Sequence, residues 1–177
     1  MILRPETSTL LIIDLQERLM PAIPDHPSVV ANAVRLAKAA RILDVPVFAT
    51  EQNPAGLGPN VLDVRGLAIR TLEKQYFDAT RENGWSSLLP QDRPNVIVAG
   101  CEAHVCVLQT VLGMRRNGIP VRLVRDAIGS RLTSNRDAAA HRAELAGAEL
   151  MTTEMVIFEW LASADHPRFR DVLRLVK

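Results

Sequence analysis

Three residue types that together make a nucleophilic site stand at the ends of apolar runs in this chain. Cys106 lies in NVIVAGCEAHVCVLQTVLGMRRN (95–117), Asp14 directly follows LLII, and Lys74 sits in TLEKQYFD. A thiol attacks an electrophilic carbon once deprotonated, a carboxylate can take its proton, and a cation can stabilise the negative charge. Cys106 is expected in the first turn of a helix, where unpaired backbone N–H groups and the helix dipole favour thiolate over thiol. The reference thiol pKa is about 8.5, and such a position with a nearby cation lowers it. Taken singly, each residue has an ordinary explanation. A free cysteine packs as a small hydrophobe, an aspartate at a strand end accepts loop N–H groups, and a lysine snorkels at the surface. Together they supply a nucleophile, a base and a cation.

The elements around them set where these residues fall. Val96, Ile97, Val98 and Ala99 form an apolar run without alternation, so both faces should be covered, as in a parallel sheet, and Gly100 ends it. From His104 onward Val105, Leu108, Leu112 and Val107, Val111, Met114 recur at helical spacing over an arc of roughly 180°. The remaining patterns predict strands over 9–13, 46–50, 67–72, 119–124 and 149–152. Helices are predicted over 28–43 with Ser28 as N-cap, 81–89, 134–146 ended by Gly147, 154–161 and 167–176. QNPAGLGPN (52–60) reads as a loop. The alternation predicts an α/β three-layer sandwich, a single domain over 1–177 whose six-stranded, mostly parallel sheet carries helices on both faces. In such sheets ligands bind beyond the carboxyl ends of the strands where strand order reverses. The polar residues expected there are Asp14, Glu51, Gln52, Lys74 and Asp126.

Composition narrows the partners. Lys+Arg 21 against Asp+Glu 20 leaves a formal net charge of +1 over 177 residues with no block of like charge, which argues against nucleic acid. The opening MILRPETSTLLIIDLQ is too short for a membrane span and carries no small-residue cleavage site, so no membrane association and a cytoplasmic location are expected. Cys101 and Cys106 are spaced neither as a CxxC redox pair nor as a metal knuckle and are expected to stay reduced. His26, His104, His141 and His166 are scattered, with no pair at helical or knuckle spacing, so no metal or other cofactor is expected.

LLIIDLQ, TLEKQYFDA, VIVAGCEAHVCVLQT and VRLVRDAIGSR, in this order and over nearly the whole chain, resemble the isochorismatase-like cysteine hydrolase superfamily, which includes nicotinamidases and carbamoylsarcosine amidohydrolases. TEQNPAGLGP with GCEAHVCVLQT looks most like its isochorismatase domain-containing branch. The resemblance implies a Rossmann-like fold and a triad of Asp14, Lys74 and Cys106. It also implies an oxyanion hole from the backbone N–H groups of Glu102 and Cys106, and a cis peptide between Cys101 and Glu102. Cys106 would attack an amide-like carbonyl, Asp14 would take its proton, and water would hydrolyse the resulting thioester. Nicotinamidases carry an Asp and two His after the second strand that bind a metal, whereas Thr50-Glu51-Gln52-Asn53 here holds no histidine. The isochorismate-cleaving members do not use the cysteine, so Cys106 favours C–N cleavage.

The expected protein is thus a metal-free cysteine hydrolase acting on a small amide or related C–N bond of a small molecule. Gln16 and Gln52 are the expected polar contacts and Leu19, Tyr76, Phe77 and Trp85 the expected walls. The alternative is a non-catalytic binding or scaffolding member of the same fold, which would have no need of all three triad residues. A homo-oligomer is expected from the wide apolar arc after Cys106 and from a stripe of Phe169, Val172, Leu173 and Val176 on the last helix.

Overall fold

The computed structural model describes residues 2–177. Six strands form one sheet: β1 (Ser8–Ile13), β2 (Val47–Gln52), β3 (Arg70–Lys74), β4 (Asn95–Cys101), β5 (Val121–Gly129) and β6 (Glu149–Met151). Their order is β3-β2-β1-β4-β5-β6 and every neighbouring pair is parallel. The helices are α1 (His26–Ile42), the single turns α2 (Pro54–Leu57) and α3 (Leu62–Arg65), α4 (Leu108–Arg116), α5 (Thr133–Leu145), α6 (Thr153–Leu161) and α7 (Phe169–Val176).

Alternation along the buried strands divides the core in two. Leu10, Ile12, Val47, Ala49, Ile97 and Ala99 pack with α1, α6 and α7 on one face, and Leu11, Ile13, Phe48, Val96 and Val98 pack with α4 and α5 on the other. This double cover is why β1 carries apolar residues at consecutive positions instead of alternating with polar ones. Cys101 lies in the first cluster and Cys106 in the second, so the two thiols belong to opposite faces. Strand order reverses between β1 and β4, and the carboxyl ends of these two strands frame the crevice where such sheets bind ligands.

Several boundaries differ from the sequence expectation. The third strand starts at Arg70 because 61–67 is wound into α3 and its exit turn, with Leu67 N–H bonded to Val64 O. The helix expected over 81–89 is two short 3₁₀ turns, Ala79–Arg81 and Trp85–Ser87, separated at Asn83-Gly84. The second strand runs on to Gln52, and the loop after it contains α2. The fifth strand continues to Gly129 past an irregularity opposite Val98–Gly100. The first helix starts at His26, with Asp25 rather than Ser28 as the cap residue, and Pro27 in its first turn. Gly147, at φ 86, closes α5 as expected.

The two features taken as signs of self-association are covered only in part within the protomer: Val105 and Leu112 of the first, and Phe169, Leu173 and Val176 of the second, stay half-buried. On α4, Thr110 and Gly113 face the Asp78–Thr80 turn while Val111 and Met114 lie in the core, so most of the wide arc is used internally. On α7, Val172 is buried and Phe169, Leu175 and Val176 pack against the α1-side core.

Candidate active site

The site begins with the way β1 ends. Asp14 follows Ile13 in the left-handed region at φ 50, a conformation that short polar side chains tolerate. Its side chain has no solvent exposure. Asp14 Oδ1 accepts a 2.6 Å hydrogen bond from Thr50 Oγ1 on the neighbouring strand, and Oδ2 forms an ion pair with Lys74 Nζ at 2.8 Å. Among the described residues no other group bonds to Oδ2, so that oxygen keeps a lone pair able to receive a proton.

Lys74 comes from β3, two strands away, and its Cα is paired in register with that of Gln52 on the intervening β2. Strands stand about 4.8 Å apart, so a side chain from β3 must cross about 10 Å to serve a residue at the end of β1. The long lysine stem makes that crossing. Its side chain is fully buried, and Nζ donates to Gln52 Oε1 at 2.7 Å as well as pairing with Asp14. The strong cost of a buried ammonium is offset by these two acceptors.

Cys106 enters from the opposite side. After β4 the chain forms a π-helical turn, Ala103–Val107, in which Glu102 O accepts from both Val105 N (3.0 Å) and Val107 N (3.3 Å) before α4 starts at Leu108. Such π turns inside or before helices recur at functional sites. Cys106 Sγ lies 3.9 Å from Gln52 Oε1, and Cys106 is only 6% exposed. The Cys101–Glu102 peptide is cis. The Glu102 carboxylate accepts from the Arg131 backbone N–H at 2.9 Å and from Arg131 Nε at 3.1 Å, which ties this turn to the loop after β5.

The thiol's ionisation differs from the sequence expectation. Burial, and then the negative charge of Asp14, push Cys106 up to about 12, with the Lys74 ammonium opposing them. The turn therefore favours a protonated thiol beside a carboxylate, instead of a free thiolate made by a helix terminus. Cys106 Sγ donates to Gln52 Oε1 at 3.9 Å, and nucleophilic attack by a thiol held protonated requires a base, a role the neighbouring Asp14 carboxylate could fill.

The structure brings together Asp14, Lys74, Cys106 and Gln52, turns Gln16 onto backbone, and places Leu19 and Trp85 away from the thiol. Gln16 is fully buried and turned onto backbone: Nε2 donates to Gln52 O (3.0 Å) and Gly58 O (2.6 Å), and Oε1 accepts from Gln52 N (2.8 Å). It braces the end of β2 and has no hydrogen-bonding group left over for a substrate carbonyl. Leu19 packs against the α1-side core, whereas Cys106 belongs to the other cluster. Trp85 lines a hollow with Val96, Ile119 and Pro120 at the amino ends of β4 and β5, the wrong end of the sheet for the thiol. Tyr76 and Phe77 are each half exposed on the segment that leaves Lys74, with the Arg81 guanidinium 4.6 Å from the Tyr76 ring centre. Asp126 lies within β5 and caps α6 through Thr153 N and Oγ1.

Thr50 and Glu102 add side-chain roles that the sequence did not reveal. Thr50 holds the Asp14 carboxylate, and nothing in its local pattern marks it apart from any strand threonine. Asn60 donates from Nδ2 to Thr50 O and from its backbone N–H to Glu51 Oε1, closing the loop over β2. Among the described residues no three His, Cys, Asp or Glu side chains converge as a metal-ligand set.

Comparison with known proteins agrees with this architecture. Residues 8–155 match the isochorismatase domain. Isochorismatase domain-containing protein 2A of Mus musculus is 36% identical over 178 residues, covering 98% of this chain and 84% of that protein. Among solved structures, a Caenorhabditis elegans protein described as MAR1 ribonuclease superposes with a TM-score of 0.92 at 38% identity, covering 98% of this chain and 91% of that one. YcaC from Pseudomonas aeruginosa, solved with hexane-2,5-diol and covalent acrylamide, superposes with a TM-score of 0.88 at 26% identity, covering 98% and 90%. The chain belongs to the isochorismatase domain family.

Proposed function

We propose that the protein is a cysteine hydrolase that cleaves the C–N bond of a small amide-like molecule, with Cys106 as nucleophile, Asp14 as proton carrier and Lys74 as the stabilising cation. The observation that carries this reading is the meeting of a thiol, a carboxylate and an ammonium in one buried spot: Lys74 Nζ stands 2.8 Å from Asp14 Oδ2 and 2.7 Å from Gln52 Oε1, which in turn faces Cys106 Sγ at 3.9 Å. Asp14 and Lys74 side chains have no exposed surface and Cys106 very little, so the reacting group must be small.

In the acylation step the Cys106 S–H proton passes to Asp14 Oδ2 as the sulfur forms a bond to the carbonyl carbon and the C–O π electrons move onto oxygen. The backbone N–H groups of Glu102 and Cys106 are the proposed donors to that oxyanion. One such donor is typically worth about 2.7–4 kcal/mol of barrier. The tetrahedral adduct collapses with C–N cleavage, the nitrogen takes the proton held by Asp14, and ammonia or an amine leaves. Water then gives a proton to Asp14 and its oxygen to the thioester carbon. The C–S bond breaks and the sulfur recovers its proton, releasing a carboxylic acid.

The covalent acrylamide in the Pseudomonas aeruginosa relative supports a reactive nucleophile in that protein, because acrylamide is captured at its vinyl carbon, and it says nothing of amide cleavage. The Caenorhabditis elegans relative's description raises RNA as a second substrate class. A buried triad and a net charge of +1 favour the small molecule. Screening small amides and ureides for ammonia release, with an RNA-degradation arm, tests both. Turnover lost in Cys106→Ala and kept in Cys101→Ala is the expected result. Full turnover in Cys106→Ala would overturn the mechanism, and absence of both turnover and Cys106 alkylation would favour a binding or scaffolding role.

Self-association belongs to the same proposal. Ile2, Met155 and Phe158, 69%, 48% and 41% exposed, line one hollow beside α6 and would be covered by a second copy. Light scattering at micromolar concentration should give a multiple of 19.5 kDa, and a monomer mass would reject it.

A further inference from the structure

We infer that Gln52 is a positioning residue that holds the Lys74 ammonium against the sulfur throughout the reaction, rather than a contact to substrate; the inference rests on the reading of Cys106 as nucleophile. The side-chain amide has one permitted orientation. Nε2 donates to Gln75 O at 2.8 Å, so Oε1 must be the atom that meets Lys74 Nζ. Turned the other way, the amide would set its oxygen against a carbonyl and its NH₂ against an ammonium. The backbone beneath it is equally fixed, because Gln16 bonds both the N–H and the C=O of Gln52.

An ammonium has three protons to donate. One points to Asp14 Oδ2 and one to Gln52 Oε1, which leaves one for the sulfur. When Asp14 receives the thiol proton its charge is neutralised, and the ion pair that had held Lys74 weakens at the moment negative charge appears on sulfur. Gln52 Oε1 is a neutral acceptor whose bond to Lys74 does not depend on that transfer. It therefore keeps the cation in place while the charge moves from carboxylate to sulfur. A carboxylate at the same position would oppose this, by placing a second negative charge 3.9 Å from the sulfur. Asp14 and Lys74 are the charged groups that act on the Cys106 thiol, so a change at Gln52 should read out through them.

Alkylation of Cys106 by acrylamide, followed by mass spectrometry from pH 6 to 11, tests this without a known substrate. Gln52→Leu should lower the Cys106 rate at pH 8 at least tenfold, and Gln52→Glu should displace the profile upward by a pH unit or more. If Gln52→Leu fails to fold, Gln52→Glu decides alone. Wild-type protein modified at Cys106 in preference to Cys101, with variant profiles superimposed on wild type, would overturn the role of Gln52 and leave the nucleophile standing. Wild-type protein in which Cys106 shows no preference would overturn both.

Discussion

Gly100 on β4 lies against Ile13 on β1 so closely that a Cβ on Gly100 would stand 2.0 Å from the Ile13 carbonyl oxygen. Gly100 also has φ +130, a region closed to residues with a side chain. The contact draws together the two strand ends from which Asp14 and the Glu102–Cys106 turn depart. Gly100→Ala is therefore expected to destabilise by ~4 kcal/mol, at the upper end of single substitutions. For a domain of this size that is a fall in Tm of roughly 8–16 °C. A Tm within two degrees of wild type would show that the strand ends can separate without loss.

The Asp14–Lys74 pair yields a prediction in which stability and reactivity move differently. Removing one partner of a fully buried ion pair strands the other charge and costs about 3–5 kcal/mol, so Asp14→Asn and Lys74→Met should each lower Tm. The double variant should lose less than the sum of the two. For the thiol the two act oppositely, since the Asp14 charge pushes Cys106 up and Lys74 brings it down. Asp14→Asn should move the Cys106 alkylation profile to lower pH while abolishing turnover, and Lys74→Met should move it to higher pH. The reverse order in the two profiles would contradict the electrostatics described here.

The fold was legible because the strands are buried on both faces. Runs such as TLLII and VIVA are short, rich in β-branched residues and bounded by turn residues, which favours covered strands over buried helix, and the strand and helix alternation then suggests the layers. The Asp14, Lys74 and Cys106 cluster was legible as residue types at strand ends, with its grouping supplied by family resemblance. What stayed hidden depends on side-chain partners across strands. In sequence Trp85 reads equally as a wall residue or as satellite core, because aromatics near loops serve as either. Only the packing shows it at the opposite end of the sheet from Cys106. For the ionisation of Cys106, a helix start suggests a thiolate, whereas burial and the charge of Asp14 favour the thiol.

Gln16 makes the same point experimentally. Read in sequence it is a polar residue two positions from Asp14, suited to touch substrate. In the structure its amide satisfies three buried backbone groups of Gln52 and Gly58. Gln16→Leu should cost about 3 kcal/mol, since each buried backbone group left unpaired carries a penalty of about 1–3 kcal/mol. Urea denaturation measures that loss. A variant with wild-type stability but a raised KM would return Gln16 to the substrate site.

Alkaline pH should expose the two buried thiols. Cys101 and Cys106 are both pushed from 9.0 up to about 12, in each case first by burial. The folded protein thus keeps its thiol protons at pH values where the unfolded chain has begun to lose them. Below pH 9 both states hold the protons and the thiols are neutral in the balance. Between 9 and 12 the unfolded state binds fewer protons, so stability falls as pH rises. The slope is about 1.4 kcal/mol per pH unit for each thiol. At pH 10 the two together remove roughly 3 kcal/mol, or about 6–12 °C of Tm. Cys101→Ala carries its own packing loss at every pH, but it removes one of the two titrating groups, so its Tm should decline less steeply than wild type from pH 9 to 10.5. Cys106→Ala should flatten the curve in the same sense. If the curves of both variants run parallel to wild type across that range, the thiols are not the groups that titrate, and the burial argument for a protonated resting Cys106 fails with them.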